Sequence, residues 1–392
     1  MEHRYENDCL TVQLRGRVDS TNAPELEREL TELRQSKAPK RVVLDCGNLD
    51  YISSAGLRVV LRMKKAVPDT VVTEAAPQVY EVFEVTGFSE LMEVHKALRR
   101  LSVADCEVMG EGANGVVYRI DPETVVKVYR NPDALPEIEK ERELAKKAFV
   151  LGVPTTIPYD VVRIREGGYG SVFELVNAAS FAQLLQRGEK TVEEIAQMSV
   201  ELLRIIHGIQ VEPETVPSMR KLAMWWTEAL EGQLEGPLLV RLRELISQVP
   251  DENRLLHGDY HIKNITWLQD GESLVLDMDT LSRGNPVFEL AAMYNAYCGF
   301  GETDHNVSVA FLGLPYEAST QLWKRSLELY LEGADEAAIR AAEDKIMVVS
   351  YTRIMSRRIR HEGLGTAAAR LQVDNCRRHL VELLPRVESL AL

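Results

Sequence analysis

The spacing of apolar residues changes character near residue 100, and no other feature of the chain restricts its fold as tightly. Before that point short strands alternate with helices. Leu10, Val12 and Leu14 alternate with polar residues as in a half-buried strand, and residues 22–33 carry helical spacing. RVVLDC at 41–46 reads as a central strand, 55–66 as an amphipathic helix, VVT at 71–73 as another strand, and PQVYEVFEVTGF as a helix ending near Gly87. This alternation predicts a small α/β domain with a mixed sheet over residues 1–99. From about residue 107 the order becomes strand, glycine loop, strand and the long helix EIEKERELAKKAFVLG. After Val176 the chain turns mostly helical, and Thr191 with Glu194 makes a capping box ahead of IAQMSVELLRIIHGI. At 392 residues the chain exceeds the roughly 250–300 at which a single core stops growing, so two domains are expected. The link over 98–106 lacks Gly and Pro and predicts close tethering.

Charge narrows the function classes. Lys and Arg number 46 against 60 Asp and Glu, a net charge of −14, which argues against nucleic acid because phosphate neutralisation needs clustered cations. Residues 1–100 hold 15 cationic and 16 acidic side chains, leaving 31 against 44, or −13, in the remainder. Five scattered cysteines imply neither a disulfide framework nor a zinc site. The start MEHRYENDCL carries charges where a signal peptide has its apolar core, and no apolar run suits a membrane helix. A cytoplasmic protein with no membrane partner is the expectation.

The second domain holds the residues that carry chemistry. GEGANGVVYRI matches G-x-G-x-x-G-x-V, with Gly110, Gly112 and Gly115 able to approach a triphosphate and Val117 able to cover a base. Lys127 follows on the next strand. Alone this is a glycine-rich hairpin. A second cluster, LLHGDYHIKNI at 255–265 followed by LVLDMD at 274–279, supplies a carboxylate, Asp259, and oxygen donors, Asn264 and Asp277. Phosphoryl transfer needs such a carboxylate to orient a hydroxyl and such oxygens to hold Mg2+.

From about 107 to 300, and more loosely to the C-terminus, the chain resembles the aminoglycoside phosphotransferase and choline kinase branch of the protein-kinase-like superfamily, whose H-G-D-x-H-x-x-N loop HGDYHIKN matches. The resemblance implies a bilobal α+β fold, with a β-rich N-lobe over about 107–176 and a mainly helical C-lobe over about 177–392. It implies Asp259 as catalytic base, Asn264 and Asp277 as Mg2+ ligands, and Lys127 on the phosphates of ATP, with GTP the alternative. Glu143, nine residues before Gly152, is the expected helix partner of Lys127, with Glu139 one turn earlier open as well. FELV at 173–176 would be the hinge that offers backbone groups of Glu174 and Val176 to adenine. Asp279 shares a strand face with Asp277, and Glu289 stands where the branch usually has aspartate.

Residues 4–99 resemble the STAS domain of bacterial anti-sigma-factor antagonists, through GRVDSTNAPEL, DYISSAGL and VTGF. In that family the serine two positions before the glycine is phosphorylated; here it is Ser54, at a helix start that favours either an N-cap or a phosphate. An anti-sigma factor or a kinase would be the partner.

The expected activity is therefore ATP- and Mg2+-dependent transfer of a γ-phosphate to a hydroxyl acceptor, with the STAS domain regulating or docking the enzyme. The alternative is partner switching through Ser54, with the kinase domain acting on protein. The acceptor's charge stays open: the acidity of the domain suits a cationic small molecule, whereas Arg353, Arg357 and Arg360 share a helix face that is either solvated and paired with acids or meets an anion. His207, Trp225 and Trp226 read as packing residues.

Overall fold

The computed structural model describes residues 1–112 and 114–392, apart from the Glu362 side chain. The chain divides into two compact units, Met1–Leu101 and Ser102–Leu392.

The first unit runs β1 (His3–Glu6), β2 (Cys9–Val18), α1 (Ala23–Lys37), β3 (Arg41–Ile52), α2 (Ser54–Ala66), β4 (Asp69–Ala75), α3 (Pro77–Val85), α4 (Phe88–Leu91), β5 (Val94–Lys96) and β6 (Arg99–Leu101). Strands β1 to β5 form a sheet in sequence order. The first pair is antiparallel and the other three are parallel, so the sheet is mixed as the alternation predicted. Parallel neighbours need a crossover, and α1, α2 and α3 lie between them in the chain. The period of two sends Leu10, Val12 and Leu14 from β2, and Val42, Leu44 and Cys46 from β3, into one core. Ser53 caps α2 by accepting the amides of Ala55 and Gly56 at 3.2 and 3.5 Å, while Ser54 stands exposed as the first helical residue. A Cβ at Gly56 would lie 2.6 Å from Val18 Cγ1 and 2.7 Å from Ile52 Cγ1, so only glycine lets α2 close on the sheet.

The second unit begins with β7 (Glu107–Glu111), β8 (Gly115–Arg119), β9 (Thr124–Tyr129), α5 (Leu135–Val150), β10 (Pro158–Ile164) and β11 (Tyr169–Glu174). These five strands pair antiparallel in the order β10-β11-β9-β8-β7. Helix α5 buries Ile138, Glu141, Leu144, Ala145 and Ala148, a stripe at spacings of three and four that includes one acid. Then follow β12 (Ala179–Ser180), α6 (Phe181–Gln186), α7 (Val192–Gly208), α8 (Met219–Glu228), α9 (Gly236–Gln248), β13 (Leu255–Leu256), β14 (Ile265–Trp267), β15 (Ser273–Val275), β16 (Ser282–Arg283) and α10 (Val287–Tyr294). The remainder is helical: α11 (Asn306–Leu312), α12 (Tyr316–Tyr330), α13 (Glu336–Arg357), a π-helical turn over Arg358–Glu362, and α14 (Ala367–Leu383). One apolar cluster, from Phe181 through Tyr260 and Phe288 to Leu390, ties this part together.

Candidate active site

Two pairings of short strands build the site. β13 pairs with β16, and β14 pairs with β15 in the register Ile265↔Val275. The loop 257–264 is held between them. The register places Asn264 beside the residues that follow β15, and the Leu276 amide donates to the Asn264 carbonyl at 2.7 Å. Asp277 comes next, at a left-handed φ of 65° that few non-glycine residues adopt; such backbone strain concentrates at functional sites.

Lys127 joins this loop region to the sheet. Its Nζ lies 2.8 Å from Glu141 Oε1 on α5 and 3.3 Å from Asp277 Oδ1. Burial alone would depress the amine; the charges of Asp277 and Glu141 outweigh it and hold Lys127 above its usual range, so it stays protonated. Glu143, the expected partner, is not brought to Lys127. It is exposed and lies 3.5 Å from Arg142. Glu139 is exposed as well. Residues two apart on a helix point to different sides, so when Glu141 faces the sheet both neighbours face away.

The loop is fixed by its histidines and by Glu289. The Asp259 amide donates to His257 Nδ1 at 3.2 Å, so the proton of the neutral ring sits on Nε2 and reaches the Leu276 carbonyl at 2.9 Å. Glu289 Oε2 accepts the His257 amide, and both carboxylate oxygens accept the Gly258 amide, at 3.0 and 3.1 Å. Glu289 is fully buried; desolvation favours its neutral form, but His207, His257 and these amides prevail and hold it below its usual range. His207 is a core residue, with Nδ1 2.8 Å from the Tyr330 hydroxyl.

Asp259 keeps its carboxylate partly open to solvent, 3.5 Å from His261 Nε2. Burial pushes its carboxyl up, yet the His261 hydrogen bond and the charges of His261 and Arg353 bring it well below the usual carboxylate range. The Asn264 Nδ2 group donates to the Asp259 carbonyl at 3.0 Å, which leaves the amide oxygen for another partner.

The glycine loop divides into two kinds of glycine. A Cβ at Gly110 or Gly112 would meet nothing within 4 Å, whereas one at Gly115 would lie 2.3 Å from the Val128 carbonyl oxygen. Gly115 therefore serves strand packing, and the first two leave open space. Val117 pairs directly with Lys127 across β8 and β9, so the two side chains share a sheet face. At the expected hinge, the Glu174 amide is taken by the Ile157 carbonyl at 3.1 Å and the Val176 carbonyl accepts the Ala178 amide at 3.1 Å. Among the described residues no hydrogen-bond acceptor meets the Val176 amide. A cavity of about 470 Å³ is lined by Asn114, Tyr129, Glu141 and Asp279 among others, and a larger one of about 590 Å³ by Glu143, Lys147 and Trp225; neither is lined by Lys127 or Asp259.

Residues 105–323 match the model of the phosphotransferase enzyme family. The chain belongs to that family. Residues 1–101 match the STAS domain, so this phosphotransferase carries an STAS domain at its N-terminus. That part is 48% identical over 89 residues to BtrV of Bordetella bronchiseptica, a candidate anti-sigma factor antagonist, covering 22% of this chain and 76% of the relative. It is 28% identical over 100 residues to the anti-sigma-B factor antagonist of Staphylococcus aureus, covering 24% and 92%. Among solved structures, ADP-bound aminoglycoside phosphotransferase APH(2'')-Ib aligns over 78% of this chain and 98% of its own at 13% identity, with a TM-score of 0.48. No helix among the described residues of the phosphotransferase is long and apolar enough to cross a membrane.

Two readings of individual residues change. Trp226 is buried as expected, but Trp225 is 45% exposed, with the Arg360 guanidinium 3.8 Å from its ring centroid. The arginine face is not uniformly solvated either. Arg360 pairs with Glu228 at 3.3 Å, while Arg353 turns inward and donates to the Gly258 carbonyl at 2.8 Å. The signal for Glu141 was present as an acid falling on the apolar stripe of α5; for Arg353 no spacing within the sequence pointed to the loop.

Proposed function

We propose that the unit Ser102–Leu392 transfers the γ-phosphoryl group of ATP to the hydroxyl of a small-molecule acceptor. The observation that carries this reading is Lys127 Nζ, 2.8 Å from Glu141 and 3.3 Å from Asp277, which links the sheet, α5 and the strand end beside the Asp259 loop. A protonated amine held there suits the α- and β-phosphates, and Gly110 and Gly112 leave room for them. Val117 and the free Val176 amide would receive the base. Asp259 is ionised at neutral pH, so it can orient the acceptor hydroxyl and take its proton as the new P–O bond forms and the bond to ADP breaks. The Asn264 amide oxygen and the Asp277 carboxylate are hard donors, few in number, which fits Mg2+ because phosphate oxygens and water complete its shell. When bound there, Mg2+ would neutralise charge on the phosphates. ATP turnover against a hydroxyl-acceptor panel tests the reading, with GTP as the second nucleotide. Asp259→Ala should lower turnover by roughly 10²–10⁴-fold; undiminished turnover would remove Asp259 from its role.

A second reading concerns the STAS domain. Ser54 is exposed at the start of α2 while Ser53 does the capping, so a phosphate on Ser54 would meet free helix amides without displacing the cap. The similarity to anti-sigma factor antagonists supports a protein partner here, with phosphorylation switching its binding. Incubation with Mg-ATP or cell lysate should add the mass of one phosphate, lost in Ser54→Ala. No mass gain under either condition would count against the switch.

A further inference from the structure

On α13, Arg353 and Arg357 lie one turn apart, and Arg353 reaches the Asp259 loop. Arg353 Nη1 donates to the carbonyl of Gly258, the residue before Asp259, and its guanidinium sits 5.5 Å from the Trp226 ring centroid. That bond to a neutral carbonyl is one of five a guanidinium can donate. Arg357 is exposed and lies 5.6 Å from the Phe300 ring centroid. Among the described residues neither arginine has a carboxylate within ion-pair distance, although the chain carries 60 acids against 46 cations. Their neighbour Arg360, by contrast, has Glu228. Two like charges this close, one of them partly buried, disfavour each other. Burial acts most strongly against the charged form of Arg353; the carboxylates of Asp259 and then Glu289 oppose it, and Arg357 adds a smaller unfavourable contribution. Arginine keeps its proton at neutral pH, so both guanidinium groups retain N–H donors, none of them engaged by a carboxylate at ion-pair distance among the described residues.

We propose that Arg353 and Arg357 form an oxyanion subsite beside Asp259, which selects a hydroxyl acceptor bearing a carboxylate or phosphate. This rests on the phosphotransfer reading and narrows its acceptor to small hydroxy acids and phosphorylated polyols. Guanidinium forks match both oxyanions in shape, and aromatic rings under Arg353 and Arg357 hold the forks in place. A polycationic acceptor would meet repulsion at this point, whatever the acidity of the rest of the unit. Arg353 reaches the backbone next to the base, so the anion and the reacting hydroxyl belong to one compact molecule.

The test uses the full chain saturated with Mg-ADP, so that the nucleotide site is filled, and follows Tm with millimolar glycerate or glycerol phosphate. Glycerol, ethanolamine and kanamycin serve as neutral and cationic counterparts. At least one of the two anions should raise Tm, the counterparts should not, and Arg357→Gln should abolish the rise while Arg357→Lys retains part of it. Arg357 is the decisive position because it is exposed and makes no bond to the loop, whereas Arg353→Gln also frees Gly258. No rise with either anion, a rise only with amines, or a rise that survives Arg357→Gln overturns the subsite. Asp259→Asn separates the two ideas. ATP turnover that depends on Asp259 but prefers a cationic acceptor would sink the subsite and keep phosphotransfer; an anion-dependent shift with turnover indifferent to Asp259 would do the reverse.

Discussion

The Lys127 ammonium and the Glu141 carboxylate meet at 2.8 Å across the sheet–helix interface, although fourteen residues separate them in the chain. The pair fixes where the Lys127 amine, which we propose meets the phosphates, points, and its distance to Asp277 depends on it. Glu141→Gln keeps the shape and removes the charge, so the amine should swing toward Asp277. Misplacement of this kind costs about 10²-fold in kcat/KM for ATP. Glu143→Gln, on the exposed side of α5, should leave kcat/KM as it is. Steady-state kinetics of both variants decide between the two glutamates, and an unaffected Glu141→Gln would contradict the pairing.

How far the sequence carries can be judged from such residues. Strand β2 was legible because Leu10, Val12 and Leu14 keep a strict period of two, and all three are buried. The start of α7 was legible because its capping box is local: Thr191 Oγ1 accepts the Glu194 amide at 3.2 Å and the Glu194 carboxylate accepts the Thr191 amide at 2.9 Å. Spacing from Gly152 points to Glu143, but helical phase decides which acid faces a sheet, and on α5 that acid is Glu141. Arg353 was out of reach for a different reason. Its contact with Gly258 spans 95 residues, and no periodicity encodes which helix end meets which loop.

Glu289 provides the next test. Its buried carboxylate receives two loop amides, so Glu289→Ala orphans both, at about 1–3 kcal/mol each. The expected loss of Tm is on the order of 10 °C. Glu289→Asp, shorter by one methylene but still an acceptor, should fall between the variant and wild type. Thermal melts followed by circular dichroism check both, and a Glu289→Ala protein melting with wild type would show that the amides find other partners.

Asp279 should give the unit a pH dependence of stability. Burial, and after it the charges of Asp277 and Glu141, push its carboxyl up to about 7 from the ordinary 3.8. Between these values the folded state holds a proton that the unfolded chain has released, so stability falls as pH rises from about 4 to about 7 and then levels off. Asp279→Asn removes the cost of ionising this group. With a chelator present, wild type and variant should melt together near pH 4, and the variant should melt a few degrees higher by pH 8. Equal melting temperatures at pH 8 would mean that Asp279 ionises freely in the folded protein.

The two kinds of glycine in the loop should separate stability from nucleotide binding. At Gly115 an added Cβ would sit 2.3 Å from the Val128 carbonyl oxygen and 3.0 Å from its carbon, both backbone atoms that no rotamer change can move. Gly115→Ala must therefore push β8 from β9, at about 1–3 kcal/mol, and Tm should drop by several degrees. Because Val117 pairs with Lys127 across these strands, the same displacement should raise the KM for ATP. Gly110→Ala adds its methyl to open space, so Tm should stay where it is. Its effect on KM is then a clean measure of contact. If phosphates lie against β7 the methyl intrudes on them and KM rises several-fold, and if KM stays level the nucleotide does not approach the loop at that residue.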